Sequence, residues 1–193
     1  IAQVIESLYP QSGGVPVDGA ISVDPKAIAA FLKLTGPVHV DGLEFPLTAK
    51  NAAPFLLRDQ YLKYGDLQSR VDVLGNAIDA VIDKIQHGNL PGAGRIGQVL
   101  GPMVKQGRLK VQTVDYAGEG FLRRIHAAGE LPAVRGDFAG LVTQNASGNK
   151  IELFLHRSLK YESVVDPASG AVKAVATITL RNDAPTSGLP DYV

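Results

Sequence analysis

The sequence contains no cysteine, so neither a disulfide framework nor a thiolate metal site can form. This absence does not decide between the cytosol and the cell envelope. The four histidines are scattered, without a spacing that repeats one helical turn; they are His39, His87, His126 and His156. A zinc site is therefore not expected.

An excess of charge of one sign is also lacking. Lys plus Arg and Asp plus Glu both number 19, so the formal net charge is zero. The densest basic pair, Arg123-Arg124, follows Glu119 at helical spacing and is typical of a solvated helix face. Nothing resembles the basic footprint of a nucleic-acid-binding protein. We therefore predict no nucleic-acid partner.

Long hydrophobic runs are missing as well. No segment approaches the roughly 20 apolar residues of a membrane span, and no signal peptide is recognisable. The chain begins at Ile1 inside an amphipathic pattern and without Met, so we expect it to be part of a longer protein. Its 45% hydrophobic and 20% charged residues are near the average of globular proteins, which favours an ordered domain over a disordered segment.

Residues 1–137 are predicted to form an α/β core. The clearest signal is Asp24-Pro25, where Asp24 can cap a helix, Pro25 suits its first position and Gly36 closes it. Apolar periodicity predicts helices over residues 1–9, 25–35, 48–64, 67–87, 96–104 and 120–128, and strands over residues 17–23, 38–40, 43–45 and 109–114. The two short strands flank Asp41-Gly42, a typical hairpin turn.

Residues 138–193 form a β-rich segment assigned to the same domain. Extended patterns cover residues 138–143, 151–165 and 172–180, with turn signals at 147–149 and 167–170. These patterns predict a three-stranded antiparallel meander. The predicted fold class is α/β (α+β), with a mixed central sheet flanked by helices and a C-terminal antiparallel β-meander.

One formal motif is Gly92-Ala93-Gly94-Arg95-Ile96-Gly97, which matches the G-x-G-x-x-G dinucleotide fingerprint and is followed by an acid, Asp115. That fingerprint needs a strand immediately before its first glycine. The preceding residues 85–91 follow a long helix and contain no strand-like run. A loop leading into an Ala/Gly-rich helix is the favoured interpretation, and dinucleotide binding is a distant alternative.

Several charged residues cluster around the start of the long helix: Arg58, Asp59, Asp66, Arg70 and Asp72. Asp66 and Arg70 are four residues apart and share a helix face. The favoured interpretation is a solvated ion pair. The alternative is an anion site, because a helix N-terminus with arginines suits phosphate.

Four runs resemble the family known as domain of unknown function 4012. They are YPQSGGVPVDGAISVDP at 9–25, LTGPVHV at 34–40, GNKIE at 148–152 and TLRNDAP at 179–185. The family's Arg and Gly-Gly-Phe motif is absent, so the chain resembles only the C-terminal part of that domain. The resemblance implies a cell-envelope protein of high-GC Gram-positive bacteria, anchored in the membrane by a preceding segment, with this domain outside.

A second resemblance is to the LytR-CpsA-Psr enzymes, which transfer polyprenyl-phosphate-linked glycopolymers to peptidoglycan. It rests on the pattern strand, Asp18-Gly19, strand, Asp24-Pro25, helix, Gly36-Pro37-Val38. It also rests on GDLQSR at 65–70. In that motif Val71-Asp72 replaces paired glutamines and a second arginine is missing. By this resemblance, Arg70 and Asp66 correspond to the arginine and the aspartate of the enzymes' motif. The resemblance does not imply an intact active site.

Two functions from different classes follow from these resemblances. The first is a non-catalytic extracytoplasmic module that binds a cell-wall glycopolymer, a lipid-linked precursor or a protein partner, without a cofactor. The second is a phosphotransferase in which Arg58 and Arg70 bind a pyrophosphate and Asp66 orients Arg70 or holds Mg²⁺ with substrate phosphates.

Overall fold

The computed structural model describes residues 2–130, 134, 136–147 and 149–189. Its α-helices are α1 (Ala2–Gln11), α2 (Pro25–Thr35), α3 (Ala52–Pro54), α4 (Gln60–Lys63), α5 (Leu67–His87), α6 (Ala93–Lys105) and α7 (Tyr116–Arg124). A π-helix, Phe55–Asp59, joins α3 to α4, and a 3₁₀ turn covers Ile151–Leu153. The strands are β1 (Gly19–Val23), β2 (Leu109–Thr113), β3 (Leu155–Val165) and β4 (Val172–Asn182). The predicted mixture of helices and strands is confirmed.

The chain divides into two compact units, Ile1–Leu131 and Pro132–Val193. In the first unit β1 pairs antiparallel with β2, with Gly19 opposite Thr113 and Val23 opposite Leu109. In the second unit β3 pairs antiparallel with β4. Among the described residues no helix has both the length and the apolar character needed to cross a membrane.

Helix α2 begins as the sequence predicts. The Asp24 carboxylate accepts a hydrogen bond from the Ala27 backbone N–H at 2.9 Å, and Pro25 occupies the first turn. The helix ends at Gly36, whose φ of 79° favours glycine. Arg108, just before β2, donates to the second oxygen of Asp24 and so ties the start of α2 to the small sheet.

The hydrophobic core of the first unit lies between α2, the loop that follows it, the α3 region and α5. Leu47 is fully buried, and Leu32, Val38, Phe55 and Val81 are at most 5% exposed. Burying one such side chain contributes roughly 1.5–3 kcal/mol. All these residues lie between positions 28 and 81, so the core joins elements that are near one another in the sequence.

The structure corrects the short hairpin predicted at residues 38–45. Asp41-Gly42 does form a turn, and Gly42 has a φ of 86°. The pairing, however, is a single bridge between Val38 and Leu47 rather than two strands. The Val40 carbonyl, which would belong to the next hydrogen-bonded pair, instead accepts from the Leu43 backbone N–H within the turn.

Two predicted helices also differ from those observed. The helix predicted at 48–64 is divided, because α3 gives way to the π-helix Phe55–Asp59 before α4 begins. The helix predicted at 120–128 lies four residues earlier, at Tyr116–Arg124. Asp115 is its cap and accepts a hydrogen bond from the Gly118 backbone N–H.

The predicted three-stranded meander is a two-stranded hairpin in the described part of the second unit. Residues 138–143 have no strand partner there. The third predicted strand is confirmed by β4, and the second by β3 from Leu155 onward, because Ile151–Leu153 form a 3₁₀ turn. Likewise, both observed sheets have two antiparallel strands, and no larger mixed sheet occurs in the described ranges. Ile1 and Gly148, which belong to the first predicted helix and a predicted turn, lie outside the described residues.

Candidate functional site

A groove of about 450 Å³ lies between α2 and α6 in the first unit. Its volume is within the range of small-molecule sites. The groove is lined by Lys26, Ala29, Ala30, Lys33, Ala49, Ala53, Arg95, Gln98, Val99, Pro102 and Met103. It is therefore assembled from two helices and from the segment that leads into α3.

The helical repeat explains which side chains reach the groove. Positions 26, 29, 30 and 33 of α2 follow the i, i+3, i+4, i+7 spacing of one helix face. Positions 95, 98, 99 and 102 of α6 follow the same spacing. The two faces pack across from each other, so the groove runs along both helices.

The lining of the groove carries charge of one sign. Its charged side chains are Lys26, Lys33 and Arg95, and no Asp or Glu lines it. None of the three forms an ion pair with another residue in the part of the chain that the structure describes. In a chain without net charge, three unpaired cations around one concavity produce a local positive potential.

The floor of the groove is apolar and made of small side chains. Ala29 is 7% exposed and Ala30 is 4% exposed, and their size leaves the hollow open. Val99 and Met103 are half-buried on the α6 side. Met is flexible and adapts to irregular apolar ligands. Cations over an apolar floor suit a molecule with an anionic head and an apolar tail.

Asp66, predicted as a catalytic or metal-binding residue, is the N-cap of α5. Its carboxylate accepts a hydrogen bond from the Ser69 backbone N–H at 2.8 Å. This hydrogen bond, and a further one from the Ser69 side chain, lower the pKa of Asp66 below 3.8; the nearby charge of Arg70 lowers it further. Asp66 therefore stabilises the start of the helix as a carboxylate.

Arg70 lies close to Asp66 but binds the preceding turn. Its guanidinium donates to the Tyr64 carbonyl at 2.8 Å and lies 5.5 Å from the centre of the Tyr61 ring. Arg58 lies in the π-helix, where its Nε donates to the Asp59 carboxylate at 2.7 Å. The structure therefore brings Asp66 and Arg70 together at the start of α5, and pairs Arg58 with its neighbour in the sequence.

The groove and the predicted site do not coincide, because Arg58, Asp66 and Arg70 are all absent from its lining. Among the described residues there is also no group of three or more His, Asp or Glu that could hold a metal ion. Asp66 is a single carboxylate, and its observed contact is the cap of α5.

The glycine motif has a different structural context from a dinucleotide fingerprint. Residues 88–92 form a loop after α5, so a helix and not a strand precedes Gly92. A Cβ atom at Gly97 would meet no atom within 4 Å, whereas the third glycine of the fingerprint permits close packing of helix and strand. Asp115, the expected ribose-binding acid, caps α7. The motif is the start of a Gly-rich helix.

Sequence reasoning missed the three groove cations. Lys26 and Lys33 are seven residues apart on a helix whose intervening face is alanine-rich, and this pattern could have indicated a cationic stripe. Arg95 lies more than 60 positions further along the chain, and no local pattern connects it with α2. Only the packing of α6 on α2 brings the three charges together.

A protein-family model described as "Protein of unknown function (DUF4012)" matches residues 1–61. The chain is similar to this family over that range, which includes α2 and the groove residues Ala49 and Ala53. The α6 side of the groove lies outside the matched range. Neither a curated protein nor a solved structure matches the chain.

Proposed function

We propose that this chain is a non-catalytic, extracytoplasmic cell-envelope module that binds a lipid-linked anionic precursor in the α2–α6 groove. The observation that carries the proposal is that Lys26, Lys33 and Arg95 surround an apolar floor, while no Asp or Glu lines the groove. The cell-envelope setting rests on the family similarity over residues 1–61 and on the resemblances in the sequence.

The chemistry of the groove favours a lipid phosphate over a neutral glycan. An exposed ion pair contributes about 0.2–1 kcal/mol, so three exposed cations alone would bind phosphate weakly. Each CH₂ group buried on the apolar floor adds about 0.8 kcal/mol. Both the ion pairs and the burial of CH₂ groups favour binding of an anionic lipid, whereas neither contributes much to binding of a neutral glycopolymer.

The volume of the groove limits how much of the ligand it can hold. A volume of 450 Å³ equals that of about 15 water molecules in the liquid. Geranyl phosphate has about the same number of non-hydrogen atoms, each of roughly water-like volume. We therefore expect the groove to hold the phosphate and the first two isoprene units, with any longer chain outside.

Geranyl phosphate, geraniol and inorganic phosphate test the proposal when each is titrated into the protein in a thermal-shift experiment. Geranyl phosphate at about 100 times its dissociation constant should add about 2.7 kcal/mol of stability. Geraniol and inorganic phosphate should each give a much smaller shift, and added salt should weaken the response to geranyl phosphate. Equal responses to geraniol and geranyl phosphate would show that the cations do not take part.

Variants then locate the site. The double variant Lys33→Ala/Arg95→Ala should lose most of the response, while Lys105→Ala, which removes a cation of α6 outside the groove, should retain it. Arg70→Ala, tested with and without Mg²⁺, is the matched test of the phosphotransferase alternative. A response that disappears in Arg70→Ala and persists in the double variant would move the site to the start of α5 and contradict the proposal.

A further inference from the structure

Helix α6, which forms one side of the groove, has a sequence that favours helix poorly. Its 13 residues include Gly94, Gly97, Gly101 and Pro102. A glycine in a helix interior lowers the ratio of helix to coil about fivefold relative to alanine. Pro102 has no N–H, so the helix also lacks the hydrogen bond from residue 102 to the carbonyl of residue 98. The local sequence therefore does little to keep α6 folded.

The start of α6 lacks the caps that stabilise the starts of α2 and α5. Asp24 and Asp66 cap those helices with their carboxylates, whereas the residue at the same position of α6, Gly92, has no side chain. The first turn of α6 contains no Asp or Glu but does contain Arg95, and the helix dipole disfavours a cation there. The N-terminal turn of α6 is therefore less stabilised than those of the other two helices.

Tertiary packing also holds α6 less firmly than its neighbours. None of its residues, all of which the structure describes, is buried, whereas α2 contains five buried residues and α5 contains three. Helices in proteins are stabilised mainly by packing of an apolar face. The C-terminal end is anchored, because the Arg108 N–H donates to the Met103 carbonyl at 2.8 Å and the Asp24 N–H donates to the Arg108 carbonyl at 3.1 Å. This anchor lies beyond Pro102, so it fixes the last turn of α6 rather than the turns that carry Arg95.

We propose that residues 93–101 of α6 exchange between folded and unfolded forms in the free chain, and that a ligand in the groove selects the folded form. The inference rests on the proposed function, because it concerns the same groove and the same ligand. Within this segment Arg95, Gln98 and Val99 line the groove, so its unfolding removes one of the three cations and opens one side. A ligand that contacts these side chains binds the folded form better and shifts the population toward it.

The unfolded population weakens binding, because the apparent dissociation constant is the intrinsic one divided by the folded fraction. A substitution that stabilises α6 without touching the ligand should therefore tighten binding. Gly97 is outside the groove lining, and a Cβ atom there would meet no atom of the described residues within 4 Å. Gly97→Ala should tighten geranyl phosphate binding about fivefold where the folded fraction is small, and about 1.7-fold where it is one half.

Gly75→Ala is the matched control, because it makes the same substitution in α5, which lies outside the groove lining. A Cβ atom at Gly75 also meets no described atom within 4 Å. This variant should stabilise the chain and leave the dissociation constant of geranyl phosphate unchanged in isothermal titration calorimetry. Equal tightening by both substitutions, or no tightening by Gly97→Ala, overturns the proposal.

Hydrogen exchange measured by mass spectrometry observes the helix directly. In folded α6 the amides of residues 97–101 donate to the carbonyls of residues 93–97, so their exchange reports on this segment. In the free chain they should exchange roughly tenfold or more faster than the amides of residues 77–81 in the middle of α5. Geranyl phosphate at about 100 times its dissociation constant should slow them by up to about 100-fold.

The outcomes separate this inference from the proposed function. If residues 97–101 are as protected as α5 in the free chain, or if geranyl phosphate binds and leaves their exchange unchanged, the exchange of α6 is wrong. Neither result contradicts lipid binding in the groove, since a ligand also fits between two helices that are always folded. A complete lack of geranyl phosphate binding contradicts the proposed function and the inference together.

Discussion

Asp24 has two functions in the structure, as the cap of α2 and as the partner of Arg108. Replacing a capping Asp by Ala costs about 1 kcal/mol, and the half-exposed ion pair adds up to about 1 kcal/mol. We therefore predict that Asp24→Ala lowers the free energy of unfolding by about 1–2 kcal/mol in urea titrations. Asp24→Asn, which can still cap, should lose less; equal losses would show that the cap contributes nothing.

The lowered pKa of Asp66 gives a second prediction for a single residue, which concerns how stability depends on pH. Its pKa in the folded chain is lower than 3.8, chiefly because the Ser69 N–H bonds to the carboxylate, so the fold favours the ionised form. This contribution is complete above the unfolded-state pKa and is lost as the pH falls through the lower folded-state value. Asn caps helices about as well as Asp but has no charge.

We predict that the chain is more stable than Asp66→Asn at pH 7 and that this difference disappears on acidification from about pH 5 to below 3.8. The measurement is the urea midpoint of both proteins at several pH values. A difference that grows toward low pH, or that is absent at pH 7, would show that the carboxylate is not favoured by the fold. Asp66 then could not be assigned as a charged cap.

These residues show what the sequence can predict at this scale. Asp24 and Asp66 both precede helices, so their positions were predictable, but only the structure shows that Asp66 caps α5 and that Arg70 binds Tyr64. A carboxylate before a helix has the same sequence pattern whether it caps, binds a metal or takes part in catalysis. The distinction depends on which donors reach it in three dimensions.

At the scale of elements, α5 contains an internal glycine that the fold does not require. A Cβ atom at Gly75 would meet no atom within 4 Å. Ala loses less backbone entropy than Gly in a helix, by roughly 0.5–1 kcal/mol. We predict that Gly75→Ala raises the melting midpoint by a few degrees, since about 1 kcal/mol corresponds to roughly 2–4 °C in a chain of this size.

The matched control is Gly88→Ala at the end of the same helix. There a Cβ atom would lie 2.3 Å from the Lys84 carbonyl oxygen, a distance that forces the backbone to move. This variant should lower the melting midpoint. Stabilisation by both substitutions would mean that α5 ends differently from the arrangement described above.

The elements that the sequence predicted well are those with caps and a continuous stripe. Helices α2 and α5 begin at the expected residues because a capping Asp precedes each apolar stripe. The π-helix Phe55–Asp59 and the single bridge of Val38 with Leu47 were missed. Both contribute residues to the buried core, whose contacts a local apolar pattern does not specify.

At the scale of the whole molecule, the groove and the β3–β4 hairpin belong to different units. The core lies within residues 28–81, the groove within 26–103, and both are inside the unit Ile1–Leu131. In the second unit the long strands β3 and β4 pair with each other. The groove was not predictable from the sequence because its two helices are far apart in the chain.

This division leads to the last prediction, which concerns a fragment of residues 1–131. The fragment contains the whole hydrophobic core and both strands of the β1–β2 sheet. It should therefore melt cooperatively, with a midpoint within a few degrees of that of the whole chain. It should also keep the thermal shift with geranyl phosphate. Loss of the thermal shift in a folded fragment would place ligand binding outside the α2–α6 groove. A fragment that fails to fold would show that the first unit depends on the second, because nothing in its own core has been removed.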